Sequence, residues 1–200
     1  NPRLFSEQII YIINHAADSY VFLDPDFFGL IESIADQCRN VKGWVVMTSS
    51  ERMPETNISN VLCYEKLVEE NDDKFSWPEL DEDSACALCY TSGTTGEPKG
   101  ITISHRSRCL VFMATALEWG LGPSKSTIAV APMYHGAGFA FNYGALYTGG
   151  QLIIQRKFDP LHLLELIKQH KPDSIFLVPA HAIQLRELGE KTIDKSDTSS

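Results

Sequence analysis

The sequence predicts an α/β fold, in which alternating β-α units form parallel-rich sheets flanked by helices. Short apolar runs of strand length, such as residues 20–23 and 174–178, alternate with longer segments that carry helical periodicity. Asp-Pro pairs at 24–25 and 159–160 separate strand from helix, because proline is favoured at the first helical position. Strands that alternate with helices are joined by crossover connections, so we expect mainly parallel strand pairs.

The first part of the chain is predicted to begin with a helix, and strands and helices then alternate. Ser6 is the expected cap of the first helix, whose apolar residues include Ile9 and Ile13. Polar and acidic residues dominate 48–60 and 71–83, which we interpret as a surface loop and a solvated connector. The predicted elements are a helix after Ser6, a strand at 20–23, a helix opened by Asp24-Pro25, a strand at 43–47 and a helix at 64–70.

The second part repeats the alternation after a glycine-rich segment. The apolar run 84–90 predicts a buried strand, 101–103 predict a second short strand, and Ser104 is the expected cap of the following helix. The glycine-rich segment is therefore a connection between two strands. The later predicted elements are strands at 126–131, 151–155 and 174–178, and helices at 136–147, from Pro160 to Pro172 and at 180–188, followed by a polar tail at 191–200.

Composition narrows the class of protein. A net charge of −9 argues against a general nucleic-acid surface, and no apolar run approaches the roughly 18 residues of a membrane helix. Five cysteines without a framework spacing indicate reduced thiols in a cytoplasmic protein. Cys86 and Cys89 form a nominal Cys-x-x-Cys, which we interpret as two small buried side chains rather than a redox or zinc site.

Residues 91–100 carry the strongest functional signal. They contain three glycines, four hydroxyl side chains and Lys99. Glycine lets the backbone approach an anion closely, successive N–H groups can form an anion-binding nest, and hydroxyls and lysine add donors and charge. The spacing is not that of a Walker A loop, because Lys99 precedes Gly100 and no Ser or Thr follows. The segment therefore predicts a phosphate-binding loop of another kind.

Two strings of residues resemble one family. Tyr90-Thr-Ser-Gly-Thr-Thr-Gly-Glu-Pro-Lys-Gly100 resembles the signature of the adenylate-forming superfamily, which includes acyl-CoA synthetases, peptide-synthetase adenylation domains and beetle luciferases. Ala131-Pro-Met-Tyr-His-Gly-Ala-Gly138 resembles the family's next core motif, whose histidine lies beside the acyl substrate. The opening segment 1–5, with the helix and strand that follow, resembles the acyl-CoA synthetase branch. The resemblance covers essentially the whole chain, but only the middle of the family's large N-terminal domain.

The resemblance implies an acyl-CoA ligase. Such an enzyme joins a carboxylate to the α-phosphorus of ATP, with Mg²⁺ present, and then transfers the acyl group from AMP to coenzyme A. The implied substrate is a small-molecule carboxylic acid, and the resemblance of the opening segment favours a medium- or long-chain fatty acid. The alternatives are a non-catalytic nucleotide- or acyl-binding remnant, or another adenylate-forming branch such as a peptide-synthetase domain or a luciferase-like oxygenase.

The resemblance also assigns roles to residues of this chain. The predicted phosphate-binding residues are Thr91, Ser92, Gly93, Thr94, Thr95 and Gly96. Thr91 is the predicted contact to Mg²⁺, and Lys99 is predicted to neutralise phosphate charge. From the sequence alone, a structural histidine is the favoured interpretation of His135. The resemblance reverses this preference, and implies that His135 positions the acyl carboxylate, which is already ionised and needs no general base. Phe139, Phe141 and Tyr143 are expected either to line an acyl channel or to be ordinary core.

The downstream motifs of the family are absent from these residues. No residue here matches the adenine-binding Tyr-Gly-x-Thr-Glu segment, the ribose-binding aspartate, the hinge or the C-terminal domain with its catalytic lysine. We therefore expect a fragment that is inactive alone. It would comprise a first α/β subdomain portion at 1–80 and a phosphate-loop subdomain portion at 81–200. The sequence predicts no oligomeric state.

Overall fold

A computed structural model describes residues 1–91, 97–189 and 193, and divides the chain into two compact units, Asn1–Ser104 and His105–Ser200. The boundary predicted between residues 80 and 81 stays a prediction. The elements of the first unit are α1 (Ser6–Ala16), β1 (Tyr20–Leu23), α2 (Phe28–Ile34), β2 (Gly43–Val46), β3 (Val61–Cys63), α3 (Tyr64–Glu69), β4 (Ala85–Thr91) and β5 (Lys99–Ser104).

The second unit contains the remaining helices and strands that the structure describes. They are α4 (His105–Trp119), β6 (Ser126–Ala129), α5 (Gly136–Tyr147), β7 (Gln151–Ile154), α6 (Pro160–His170), β8 (Ser174–Ile175) and α7 (Pro179–Glu187). Within the described residues, no helix is long and apolar enough to cross a membrane.

Helix starts follow local sequence signals. The Asp24 side chain accepts a hydrogen bond from the Asp26 backbone, and a 3₁₀ turn at Pro25–Phe27 leads into α2. The Asp159 carboxylate accepts from the His162 backbone at 2.9 Å, so α6 begins at Pro160 as predicted. The prediction of Ser6 as the cap of α1 was wrong by one position. Phe5 occupies that place, and the Gln8 side chain accepts from its backbone N–H at 3.2 Å.

The first unit contains a three-stranded parallel sheet in the order β1-β2-β3. All four residues of the central strand β2 are buried. Its Trp44 and Val46 join Phe28, Ile31 and Ile34 of α2 in one apolar core. The parallel pairing confirms the predicted β-α-β organisation, although the short edge strand β3 had not been predicted.

The strands β4 and β5 form an antiparallel hairpin. The strands themselves were predicted, but the prediction of a buried strand at 84–90 was wrong. Cys86, at a register shift between Ala85 and Ala87, and Cys89 are both exposed. The physical reason is that β4 and β5 form a separate two-stranded sheet, and within the described residues neither face of this sheet is covered enough to bury its side chains.

The second unit is organised around a parallel sheet in the order β7-β6-β8. The central strand β6 is almost wholly buried, and Ile128 packs with Leu163 and Leu166 of α6. A second cluster joins Ala116 of α4 to Phe141 of α5. Both parallel sheets confirm the predicted α/β class.

Candidate functional site

The β4–β5 hairpin carries the two ends of the predicted phosphate loop. Thr91 ends β4, Lys99 begins β5, and the two residues are direct cross-strand partners. Side chains that face each other across an antiparallel ladder start from the same face of the sheet. The Thr91 hydroxyl and the Lys99 ammonium therefore emerge together at the end of the hairpin, and both residues are exposed.

The predicted phosphate-binding residues between these ends lie outside the described residues. They are Ser92, Gly93, Thr94, Thr95 and Gly96. Glu97 and Pro98 then lead into β5, and Pro98 is buried. The structure thus describes the two stems of the loop and not its centre, so the roles of these five residues stay predictions.

Gly100 makes room for an aromatic ring against the stem of the hairpin. It pairs with Tyr90 across the ladder. A Cβ atom at Gly100 would lie 3.2 Å from Tyr90 Cζ and 3.2 Å from Leu88 Cδ1, tighter than an ordinary van der Waals contact. The glycine therefore permits the Tyr90 ring to lie across β5.

The Tyr90 ring also contacts the first helix. Its hydroxyl lies 2.6 Å from His15 Nδ1, and the two rings meet edge to face at 5.7 Å between centroids. Burial, and then the charge of Asp18, raise the pKa of Tyr90. The hydroxyl therefore stays protonated and can donate to the imidazole nitrogen. Sequence reasoning assigned His15 to no site, because 75 residues separate it from Tyr90 and no local spacing marks the pair.

His135 stands between β6 and α5. Its backbone N–H donates to the Pro132 carbonyl at 3.1 Å, and its carbonyl accepts from the Phe139 N–H at 2.8 Å, the first hydrogen bond of α5. The side chain is exposed, and its ring lies 4.7 Å from that of Tyr134. His135 is therefore the N-cap residue of a twelve-residue helix, at the positive end of the helix dipole.

Gly138 fixes the position of this helix start. A Cβ atom there would lie 2.5 Å from the Pro132 carbonyl oxygen and 3.2 Å from that of Ala131. Only glycine lets the first turn of α5 pack directly on the backbone that follows β6. This close packing holds His135 at the carboxyl end of the sheet.

The carboxyl end of the β7-β6-β8 sheet is a favourable place for a ligand. Because β7 and β8 flank β6 on opposite sides, the chain reverses its winding direction at β6. Open α/β sheets bind ligands at the carboxyl ends of strands at such a point. His135 follows β6, and residues 176–179 follow β8 at the same edge.

The three aromatic residues of α5 have different environments. Phe141 is buried, at 3% exposure, and its ring packs on Trp119 and on Phe176, so it belongs to the core. Phe139 stacks on Tyr143 at 4.3 Å, and the Arg108 guanidinium lies 4.7 Å from the Phe139 ring. Tyr143 is 40% exposed. These residues were expected either to line an acyl channel or to belong to the core, and Phe141 belongs to the core.

The described residues contain no ready-made metal cluster. No group of three His, Cys, Asp or Glu side chains is arranged to hold an ion within 1–91, 97–189 and 193. Thr91 offers one hydroxyl oxygen at the hairpin end.

Comparisons with known proteins agree with the motifs. A family profile described as "AMP-binding enzyme" matches residues 1–200. The chain is 40% identical to a medium-chain-fatty-acid–CoA ligase from Ectopseudomonas oleovorans over 156 residues, covering 77% of this chain and 29% of that protein. It is 36% identical to a long-chain-fatty-acid–CoA ligase from Thermus thermophilus over 169 residues, covering 83% of this chain and 30% of that protein.

A solved structure supports the fold. The crystal structure of an anthranilate CoA ligase in complex with anthranoyl-AMP aligns with a TM-score of 0.82 and 22% identity, covering 99% of this chain and 38% of that one. At that identity the likeness concerns the fold. The chain spans about 30% of the length of the curated fatty-acid ligases that it matches.

Proposed function

The chain belongs to the AMP-binding enzyme family, and on that premise we propose that the protein is an acid–thiol ligase. It activates a fatty acid as the acyl-adenylate and then transfers the acyl group to coenzyme A. The observation that carries the proposal is the cross-strand pair Thr91–Lys99, which places a hydroxyl and a cation together at the two ends of the glycine-rich segment. The same segment lies in a chain about 40% identical to a fatty-acid–CoA ligase.

In the first step, a carboxylate oxygen of the fatty acid attacks the α-phosphorus of ATP. The bond from that phosphorus to the bridging oxygen breaks, and pyrophosphate leaves with the electron pair. Negative charge grows on the leaving pyrophosphate, and donors fixed in advance around that charge lower the barrier. Residues 91–96 supply hydroxyls and backbone N–H groups for this purpose, and Lys99 supplies positive charge.

Mg²⁺, when bound, would neutralise phosphate charge and shield the α-phosphorus from the repulsion of the other phosphates. Thr91 is the residue of this chain that we assign to it. The Thr91 hydroxyl is a hard oxygen donor at the same end of the hairpin as Lys99, which fits a cation held mainly by phosphate oxygens.

His135 acts on the acyl substrate. As the cap residue of α5, it lies where backbone N–H groups and the helix dipole favour a carboxylate. We assign it the role of positioning the fatty-acid carboxylate for attack, since that group is ionised at neutral pH. In the second step the thiol of coenzyme A attacks the acyl carbon, and AMP leaves as the thioester forms.

The substrate class follows from the relatives. Curated proteins named as medium-chain and long-chain fatty-acid–CoA ligases are 40% and 36% identical to this chain. We therefore propose a medium- or long-chain fatty acid as the acyl donor. We also propose that the protein is located in the cytoplasm, where ATP and coenzyme A are available. The subdomain portions 1–80 and 81–200 remain part of this proposal.

Loop variants of the full-length protein test the assignment. Thr95→Ala is expected to lower the rate of fatty-acid-dependent ATP–pyrophosphate exchange by about a hundredfold, the effect of losing one transition-state donor. Gly96→Ala is expected to lower it by about as much, because the added methyl group hinders the close approach of the backbone to phosphate. Lys99→Ala is expected to cost about tenfold, because a flexible cation is more easily replaced by water and Mg²⁺. Lys74→Ala is the matched control, since Lys74 is an exposed lysine in the connector between α3 and β4.

Full exchange activity in both Thr95→Ala and Gly96→Ala would contradict the phosphate role of the segment. A wild-type protein that binds ATP but shows no exchange with any carboxylate would favour the non-catalytic alternative. Exchange supported by amino acids, and not by fatty acids, would favour a peptide-synthetase branch.

A further inference from the structure

Helix α1 contacts the hairpin immediately next to the glycine-rich segment. His15 Nδ1 lies 2.6 Å from the hydroxyl of Tyr90, the residue that precedes Thr91. One turn earlier on the same face, the Tyr11 ring stacks on the His15 ring at 5.2 Å between centroids. Neither contact is explained by the core of the first unit, whose buried residue from α1 is Ile13.

Tyr11 therefore packs on His15, and His15 contacts the end of β4. We call the three residues Tyr11, His15 and Tyr90 the α1 clasp.

The hairpin has few other means of being held in place. Among its described residues, 85–91 and 97–104, only Pro98 is buried. A two-stranded hairpin without a covered face is marginally stable in water. The separation and direction of its two stems therefore depend strongly on contacts made from outside the hairpin.

We propose that His15 and Tyr11 are positioning residues of the ligase reaction, which hold the end of β4, and with it Thr91, ready for the phosphates of ATP. This inference rests on the proposed function for its substrate, and on the clasp contacts for its geometry. Groups that are held in place before ATP binds lose less conformational freedom on binding, so the clasp favours nucleotide affinity. The clasp lies beside a residue that we assign to the phosphates, so we expect the KM for ATP to change more than the KM for fatty acid.

Three variants of the full-length protein separate the hydrogen bond from ring packing. His15→Phe keeps a ring to stack on Tyr11 and removes the nitrogen, whereas Tyr90→Phe removes only the hydroxyl. His15→Asn restores a polar atom near the position of Nδ1. Tyr64→Phe is the matched control, because Tyr64 also packs edge to face on another ring of the first unit, that of Phe22.

Hydrogen–deuterium exchange of peptides from 85–104 is the first measurement, and the KM for ATP is the second. His15→Phe and Tyr90→Phe are each expected to raise the exchange rate of these peptides and the KM for ATP by about threefold to tenfold, the usual effect of losing one net hydrogen bond. The double variant is expected to match either single one, because both remove the same interaction. His15→Asn recovers part of the loss, and peptides from 43–63 are unchanged in every variant.

Unchanged exchange in the hairpin peptides, or effects that multiply in the double variant, would overturn the clasp. An increase in hairpin exchange without any change in the KM for ATP would overturn the positioning role. The two proposals fail separately: a wild-type protein without carboxylate-dependent ATP–pyrophosphate exchange contradicts the ligase, whereas hydrogen exchange measures the clasp without any turnover.

Discussion

His181 is a buried histidine in the first turn of α7. Its ring packs on that of Phe158 at 4.3 Å between centroids, and Nδ1 has no hydrogen-bond partner within the described part of the chain. Burial lowers the pKa of His181, because the charged imidazolium is disfavoured away from water. The side chain therefore acts as an apolar group at neutral pH, and offers a test of packing in the second unit.

Stability is expected to fall in mild acid because of this residue. The unfolded chain binds a proton at His181 below about pH 6.5, the ordinary pKa of histidine, whereas the folded chain does not until lower pH. The folded state is therefore fully favoured above about pH 6.5 and loses stability as pH falls below that value, by at most about 1.4 kcal/mol per pH unit.

Urea unfolding of wild-type protein and His181→Gln between pH 5 and pH 7.5 measures this slope. The variant is expected to be less stable at neutral pH but to have a shallower pH dependence. His162→Gln is the control, since His162 is an exposed histidine of the same unit and is expected to leave the slope unchanged. Equal slopes in the wild type and in His181→Gln would contradict the assignment.

Helix α5 depends on the close approach of its first turn to the backbone after β6. Gly138 lies against the carbonyl oxygens of Pro132 and Ala131, which are backbone atoms and cannot rotate away. Gly136, in the same first turn, has open space where a Cβ would be placed. The two glycines form a matched pair for testing whether this contact positions His135.

Gly138→Ala is expected to destabilise the protein by about 1–3 kcal/mol, because the added methyl group forces α5 away from the strand end. The same displacement moves His135, so kcat for acyl-adenylate formation is expected to fall by more than the loss of folded protein explains. Gly136→Ala is expected to be nearly neutral in both respects. Thermal unfolding with single-turnover kinetics measures both quantities, and similar behaviour of the two variants would contradict the account.

Elements with local signals were predictable from the sequence. Asp24-Pro25 and Asp159-Pro160 mark helix starts through their own side chains, and both predictions are confirmed. The exposure of β4 was not predictable, because the exposure of Cys86 and Cys89 depends on what packs on the faces of the hairpin, which no local pattern reveals. The contact of His15 with Tyr90 could not be predicted from the sequence either, since it joins residues 75 positions apart.

At the level of the whole chain, the motif residues are divided between the two units. Thr91 and Lys99 belong to Asn1–Ser104, and His135 belongs to His105–Ser200. The family followed from the two motif strings and is confirmed by the profile match over residues 1–200. The α/β fold followed from the alternation of strand and helix patterns and is confirmed by the two parallel sheets. The roles of 92–96 stay predictions, because they depend on a loop whose centre lies outside the described residues.

The chemistry proposed for the complete protein has a distinctive product. Attack of a carboxylate on the α-phosphorus releases pyrophosphate, and AMP leaves when coenzyme A takes the acyl group, whereas transfer of the γ-phosphoryl group by a Walker-type enzyme would release ADP. The distinction matters because Lys99 precedes Gly100, a spacing that excludes the Walker A loop.

The most direct test is therefore to identify the nucleotide product when the full-length protein is incubated with ATP, Mg²⁺, coenzyme A and a fatty acid. The account predicts AMP, pyrophosphate and acyl-CoA in equal amounts, with none of the three formed when the fatty acid is omitted. Formation of ADP and phosphate, or of AMP without any dependence on a carboxylate, would contradict it.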